Sequence, residues 1–526
     1  MRRMKKERVF ASVSENWGKV VLFLILTSGA FLSLAFFYGP SWINGSDNYI
    51  YTWEAHMFSQ GNFQPLNLTL GDNVKLLLIG GITIFFSLFG YSLFTASLFG
   101  VLCFLLTIIV VYLMGKELHS ETAGMFSAFL YSIFPLVLVE SSNVGDDIPM
   151  AFLVALSILL VIKGLKSAKR RSTLLFAAGF VSLINVLIVP EALIGSFFIF
   201  GYLCADAIVK RGKQRIFPIF NFGSGAALAL LVIFMMGFLI SGNPLHIIDA
   251  YSSNFNSYQG TSPAFSAYYS SLFSNDLFTF AGNPAGFLRN TGFNALAYGF
   301  FGIALALSML YLLLNYRKAV IVPAAWFIFM LFYMGFGTMS ITTYIPLILM
   351  IRYTVIFVPA IVLLIGIALA DAIKTAGAKE RLITCVLVAA SLVVLAVSSV
   401  VITGYLNYSQ YKTSLPLIEI GGYINNLPSN TYINGPADVP WIVYVSQNNT
   451  HPIGYIMSEN TCKNVTALFN LKPGSYLIGN LTDPSSCNMT EVFQPSPQGW
   501  LSNYTTFDDI GLNFYIVNIY KYQPSR

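Results

Sequence analysis

Apolar positions along the chain fall into long, nearly unbroken blocks separated by short polar or charged joints. The block length is the informative quantity, because about 20 residues at 1.5 Å rise cross a ~30 Å hydrocarbon core. Eleven spanning helices are predicted, at 20–39, 93–114, 122–139, 148–163, 173–189, 191–208, 216–240, 293–314, 319–336, 354–372 and 382–404. The pair 173–189 and 191–208 reads as a tight hairpin broken by Pro190. A further apolar stretch, LLLIGGITIFFSLFG at 76–90, is short and Gly-rich, and is predicted to lie at or dip into the outer interface.

Polar sequence of useful length is confined to three places: residues 40–75, the Ser-, Tyr-, Phe- and Asn-rich loop 241–292, and the tail 405–526. Within the tail, TYINGPADVPWIVYVS, GSYLIGNLT and LNFYIVNIYKY are β-branched and aromatic runs punctuated by Pro, Gly and Asn, which predicts strands. Residues 414–427 have the pattern of an amphipathic helix. The fold class is therefore a polytopic α-helical membrane protein with about 11 transmembrane helices and a small C-terminal exterior α/β domain. The membrane domain is 1–404, with exterior loops 40–75, 140–147 and 241–292, and the exterior domain is 405–526. No internal repeat is visible by eye, which weakens an inverted-repeat transporter.

Composition narrows the class further. Of 526 residues 56% are hydrophobic and 10% charged, against roughly 25% charged in soluble chains, which excludes a soluble, disordered or nucleic-acid-binding protein. The net charge of +6 is less informative than its partition. With the N-terminus cytoplasmic, 21 of 29 basic residues fall inside and 16 of 23 acidic residues outside, giving +14 within and −8 without. Residues 1–8 precede a long first span with no small-residue cleavage site, and read as a signal anchor. Acceptor sequons at Asn44, Asn67, Asn407, Asn448, Asn464, Asn480, Asn488 and Asn503 all fall on the exterior side, although a tail rich in Asn, Ser and Thr also yields sequons by composition. Cys103, Cys204 and Cys385 sit in spans as small apolar residues. Cys462 and Cys487, 25 residues apart in the tail, are expected to pair if that compartment is oxidising. No Cys/His spacing suits zinc.

So few charges make those near the outer membrane surface stand out. In SDNYIYTWEAHMFSQGNF, a helix would put Asp47, Tyr51, Glu54 and Phe58 on one face. The plainer alternative makes Asp47 a helix N-terminal residue and Glu54 a solvated charge. In SSNVGDDIPMAF, Asp146 and Asp147 stand side by side at the mouth of a span, as a functional pair or as simple caps. Glu140 and Glu191, near other outer helix ends, read as structural. Lys75 and Arg352 lie where a cytoplasmic charge count would not put them. They suit a phosphate, the Arg through its planar fork, or lipid headgroups as interfacial anchors. Carboxylates and cations on one rim fit a reaction in which a carboxylate activates a hydroxyl and a cation stabilises a departing phosphate.

The first 165 residues resemble the glycosyltransferase C superfamily, in particular its protein O-mannosyltransferase (dolichyl-phosphate-mannose-protein mannosyltransferase-like) and aminoarabinose-transferase-like branch. The resemblance runs through Asp47, Tyr51, Ala55 and Gly61, through the interfacial helix and next span, and through SSNVGDDIPMAFLVALSILLVIKG. MIRYTVIFVPAIVLLIGIALA resembles the family's Arg-Tyr-x-x-x-x-x-Pro helix. The chain departs from the family at Asn48, where a Glu is usual, and at Asn73-Val74-Lys75, where Pro-Pro-Leu is usual. The tail lacks the Trp-Trp-Asp-Tyr-Gly motif of oligosaccharyltransferases. The resemblance implies a polyprenyl-phosphate (dolichyl-phosphate) sugar donor and inverting transfer to a protein, glycan or lipid acceptor on the exterior face. Carried over, Asp47 is the general base, Asp147 with Asp146 orients the acceptor or a cation, and Arg352, with Lys75, holds the donor phosphate. Tyr51, Glu54 and Tyr353 stand behind them. No cofactor is specified, and a divalent cation is left open. Exterior sequons and a polyprenyl donor suit an archaeal plasma membrane or, second to it, a eukaryotic secretory membrane. The competing expectations are a secondary transporter, which needs an ionisable residue near the midplane of a span, and a membrane-anchored adhesion or sensor protein.

Overall fold

A computed structural model describes residues 2–35, 46–61, 74–209, 216–259, 299–315, 317–336 and 351–426, together with five short strands between 433 and 522. With no water to satisfy backbone groups in a bilayer, the apolar blocks have to be helical, and they are. In chain order the α-helices are α1 (Arg2–Ala35), α2 (Ser46–Ser59), α3 (Leu76–Phe89), α4 (Leu93–Leu118), α5 (Glu121–Ser132), α6 (Pro135–Ser141), α7 (Asp147–Lys166), α8 (Arg171–Ile184), α9 (Leu193–Val209), α10 (Phe217–Ser241), α11 (His246–Gln259), α12 (Phe301–Leu314), α13 (Ile321–Phe336), α14 (Val358–Thr375) and α15 (Arg381–Asn425).

Among the described residues, seven helical segments are long and apolar enough to cross a membrane, at Gly18–Ala35, Phe94–Leu118, Asp147–Lys166, Pro190–Val209, Phe217–Ser241, Arg352–Thr375 and Arg381–Gly404. The predicted single span 122–139 is instead a broken pair, α5 and α6, bent by 61°. Pro135 has no amide N–H and its ring blocks a continuous helix, so the chain turns there. Counted as one span, the pair makes eight. The predicted spans 173–189, 293–314 and 319–336 hold the shorter apolar helices Arg171–Leu187, Phe301–Leu314 and Lys318–Tyr333. The stretch predicted to be interfacial is the short helix α3.

Burial sorts the helices. The α14 segment is central, 83% of its apolar window being buried, whereas that of α15 is 17% buried. Phe31, Phe220, Leu239, Leu314 and Leu382 are among the large apolar side chains that remain exposed, as lipid contact requires. Where helices approach closely, glycine permits it. A Cβ on Gly366 of α14 would collide with the Ser127 hydroxyl of α5, and one on Gly179 of α8 with the Phe222 carbonyl of α10.

Two expectations for the tail change. The amphipathic helix predicted at 414–427 is no separate element, because α15 runs unbroken from the membrane to Asn425. The strands are β1 (Ile433–Gly435), β2 (Ile453–Tyr455), β3 (Tyr476–Gly479), β4 (Met489–Phe493) and β5 (Asn518–Tyr522), in a mixed sheet of order β2-β1-β3-β5-β4. β1 runs parallel to both β2 and β3, while β5 is antiparallel to β3 and β4. Three of these strands lie within the predicted runs, whereas β2 and β4 were not anticipated. Asn44, Asn67, Asn448, Asn464, Asn480, Asn488, Asn503, Cys462 and Cys487 lie outside the described residues.

Of the eight sequons, the one at Asn407 lies within the described residues. Asn407 sits inside α15, is 0% exposed, and neither polar atom of its amide has a hydrogen-bond partner among the described residues. Mapping of glycosylated peptides should find none at Asn407. Asn407→Leu should raise thermal stability by roughly 1–3 kcal/mol by removing an unsatisfied buried amide, as read from melting in detergent.

Candidate active site

The rim of the bundle is built by three helix starts and one 3₁₀ segment. α2 lies against α3, with Thr83 Oγ1 donating to the Ala55 carbonyl at 3.3 Å and the His56 ring 4.3 Å from that of Tyr91. This places Tyr51 and Glu54 in the interior, 1% and 0% exposed. Glu54 is thus no solvated charge. Asp47 falls in the first turn of the same helix, and its side chain lies outside the described residues.

Lys75 immediately precedes α3, and its carbonyl accepts the Ile79 amide at 3.0 Å. Its side chain is turned inward, 8% exposed. Nζ donates to Asp146 Oδ2 at 2.7 Å and to the Tyr51 hydroxyl, and sits 4.8 Å from the Tyr51 ring centroid. Asp146 occupies the N-cap of α7, yet makes no side-chain capping bond. The carboxylate is thus not a simple cap; it pairs with Lys75, a contact that neither sequence reading anticipated. Burial alone would raise the Asp146 carboxyl, but Lys75 and then Arg352 outweigh burial and hold it below the usual carboxylate value.

The second pair is looser. Arg352 Nε lies 3.8 Å from Asp147 Oδ2, an ion pair beyond hydrogen-bond reach, and its guanidinium carbon is 5.4 Å from the Tyr353 ring centroid. The Arg352 side chain is 26% exposed, whereas that of Asp147 is 3% exposed, and Asp147 Oδ2 accepts no hydrogen bond among the described residues. Arg352 and Tyr353 stand on the 3₁₀ segment Ile351–Phe357 that leads into α14. The second acidic loop rests directly on α4 because Gly100 leaves room. A Cβ there would come within 3.0 Å of the Ser141 carbonyl oxygen and 3.2 Å of that of Asn143.

The structure thus assembles Tyr51, Lys75, Asp146, Asp147, Arg352 and Tyr353, and adds two groups that the sequence reading had set aside. Glu140, at the end of α6, accepts from Asn143 Nδ2 at 3.0 Å and lies within electrostatic reach of Arg352, Asp146 and Asp147. Glu191 lies within reach of Tyr353 and Tyr333. Spacing could not reveal Glu140, because the bend at Pro135 is what directs the end of α6 to the rim. Asp146 and Asp147 are each set against a cation of the chain itself. Among the described residues no cluster of three or more His, Cys, Asp or Glu is arranged to hold a metal ion.

The site defines a class: a multi-pass integral membrane protein with two cations held by buried carboxylates at one mouth of its helical bundle. Comparison with known proteins agrees. The family model for dolichyl-phosphate-mannose-protein mannosyltransferases matches residues 81–237, which include Glu140, Asp146, Asp147 and Glu191. The crystal structure of ArnT from Cupriavidus metallidurans in the apo state is similar, with a TM-score of 0.58 at 13% identity over 98% of this chain and 100% of that one. The same protein bound to undecaprenyl phosphate gives 0.55 at 14%, over 97% and 99%. An Archaeoglobus fulgidus oligosaccharyltransferase tethered to an acceptor peptide containing the NVT sequon gives 0.58 at 13%, over 88% and 69%. No curated protein sequence matches the chain significantly. The resemblance to the glycosyltransferase C superfamily is borne out by the family match and the shared fold.

The Lys75–Asp146 pair makes a pH prediction. Asp146 is depressed in the folded protein, so its contribution to stability is present above the ordinary Asp value near ~3.9 and is lost as pH falls through the lowered value. Lys75→Met should cost about 3–5 kcal/mol at neutral pH by leaving a buried carboxylate unpaired. In that variant burial of Asp146 is no longer opposed by Lys75, so the loss of melting temperature on acidification should be smaller than in the wild type. A wild-type-like pH profile of melting in the variant would show that the pair does not govern Asp146.

Proposed function

We propose that the chain is an integral-membrane glycosyltransferase. It moves a sugar from a polyprenyl-phosphate donor, dolichyl or a related lipid, to an acceptor hydroxyl on the exterior face, with inversion. The observation that carries this reading is the pair of cations, Lys75 and Arg352, held against Asp146 and Asp147 at the bundle mouth. Support comes from the shared fold with ArnT, whose structure has been solved with undecaprenyl phosphate. It comes also from the archaeal oligosaccharyltransferase AglB, solved with a dolichol-phosphate.

In this reading the N-terminus is cytoplasmic, the rim is exterior, and the three shorter apolar helices complete eleven crossings of a membrane domain, 1–404. Residues 405–526, with their five-stranded sheet, form an exterior α/β domain that helps select a protein, glycan or lipid acceptor. The membrane is the plasma membrane of an archaeon, with a eukaryotic secretory membrane as the second assignment. The seven sequons outside the described residues and a Cys462–Cys487 disulfide belong to the same exterior assignment.

Asp47 takes the proton from the acceptor hydroxyl as its oxygen bonds to the anomeric carbon. The bond from that carbon to the phosphate oxygen breaks, and the electron pair leaves with the polyprenyl phosphate. Arg352 presents a fork of donors and Lys75 a point charge to the departing phosphate. Tyr51 and Asp146 keep Lys75 aimed, Tyr353 flanks Arg352, and Asp147 holds Arg352 while offering Oδ2 to the acceptor. Glu54 supports α2 from within. What favours transfer over transport is the placement of charge at span ends. Asp147 and Arg352 open their spans, and Lys163, Lys166, Asp371 and Lys374 lie near the opposite ends.

Asp47→Asn should reduce transfer from a polyprenyl-phosphate sugar by at least about 100-fold, with expression and donor binding intact. Near-wild-type turnover would remove Asp47 as the base. Arg352→Ala should instead raise the donor KM by about 10- to 100-fold, as loss of a charge-assisted contact does. An unchanged KM for the lipid donor would remove Arg352 from the phosphate site.

A further inference from the structure

The proposed reaction uses the rim end of α14. The other end carries a buried carboxylate that no step uses. Asp371 is 2% exposed. Arg317 Nε donates to it, at 3.1 Å from Oδ1 and 3.2 Å from Oδ2, and the Tyr311 hydroxyl donates to Oδ2 at 3.1 Å. His119 Nε2 lies 3.6 Å from Oδ1, and the Tyr311 oxygen is 3.3 Å from Thr375 Oγ1, one turn further along α14. These partners come from separate elements. His119 follows α4 at its turn into α5, Tyr311 belongs to α12, and Arg317 to the link between α12 and α13. One carboxylate therefore ties three neighbouring segments to the end of α14.

An apolar contact could hold helices together at lower desolvation cost than a buried charge. A charged clasp adds position, because its short contacts are lost when the helix slides by an ångström or two, whereas apolar side chains slip and repack. Arg352 stands 19 residues before Asp371 on the same rod. At 2.0 Å per 3₁₀ residue and 1.5 Å per α residue, that is roughly 30 Å. Between them, Gly366 seats the rod on Ser127 of α5 without an intervening side chain. At the far end, Arg352 Nε stands 3.8 Å from Asp147 Oδ2, a separation that changes with the axial position of the rod.

We propose that Asp371, with Arg317 and Tyr311, is a positioning residue that fixes the axial register of α14 and so places Arg352 at the donor-phosphate site. The inference rests on the reading of Arg352 as a phosphate ligand, and the test separates the two. Undecaprenyl phosphate is titrated onto the full chain in nanodiscs, for the wild type, Asp371→Asn, Arg352→Ala and the double variant, with melting followed in parallel. Asp371→Asn keeps the shape but removes the charge. It should weaken binding about five- to tenfold in the wild-type background and by less than about twofold in the Arg352→Ala background, the signature of energetic coupling. Tyr311→Phe, which spares the ion pair, should give a smaller loss, about twofold, in the same direction. In turnover assays the donor KM should rise while kcat per folded molecule holds. Equal weakening in both backgrounds overturns the proposal, as does unchanged binding in a folded Asp371→Asn protein. Unchanged binding in Arg352→Ala overturns the phosphate reading of Arg352, and this proposal with it.

Discussion

A buried charge has to be matched. At the mouth of this bundle Lys75 and Asp146 are almost fully out of water, and each offsets part of the other's desolvation cost through a 2.7 Å contact. That contact joins the start of α3 to the start of α7, and the Tyr51 hydroxyl brings in α2 as well. Three helix starts that are distant in the chain are therefore held at one point, and the rest of the rim is arranged around them. Removing either charge would take away the short ion-pair partner of the other.

The looser pair complements the tight one. Arg352 is partly open, with its Nε 3.8 Å from Asp147 Oδ2. The geometry separates a cation buried in a short ion pair from one that is 26% exposed in a longer pair. Its position is inherited from α14, the most buried of the candidate spans, which runs from the rim to the Asp371 clasp. The bend at Pro135 serves the same end, because a straight helix through 122–139 would carry Glu140 elsewhere.

Much of the fold was legible in the chain. Block length and hydropathy anticipated the seven long apolar helices and, as a single span, the broken pair α5 and α6, while three further predicted spans hold shorter helices. The first acidic segment, the second acidic loop, Lys75 and Arg352 could be singled out because charge is so rare here. Three things were not legible. Whether Asp146 caps a helix or pairs with a cation depends on a residue 71 positions away. The burial of Glu54 depends on what packs over α2. The inaccessibility of Asn407 depends on α15 continuing past the membrane stretch, where a sequon pattern says nothing of burial.

The chain alone thus determined the class of solvent, the helical segments and the short roster of charges from which a site could be drawn, because desolvation acts on each residue locally. Only the tertiary structure decided which charges meet. Pairing is set by where helix starts converge in space, and that depends on a proline bend, on glycines that let helices touch, and on contacts between residues far apart in sequence.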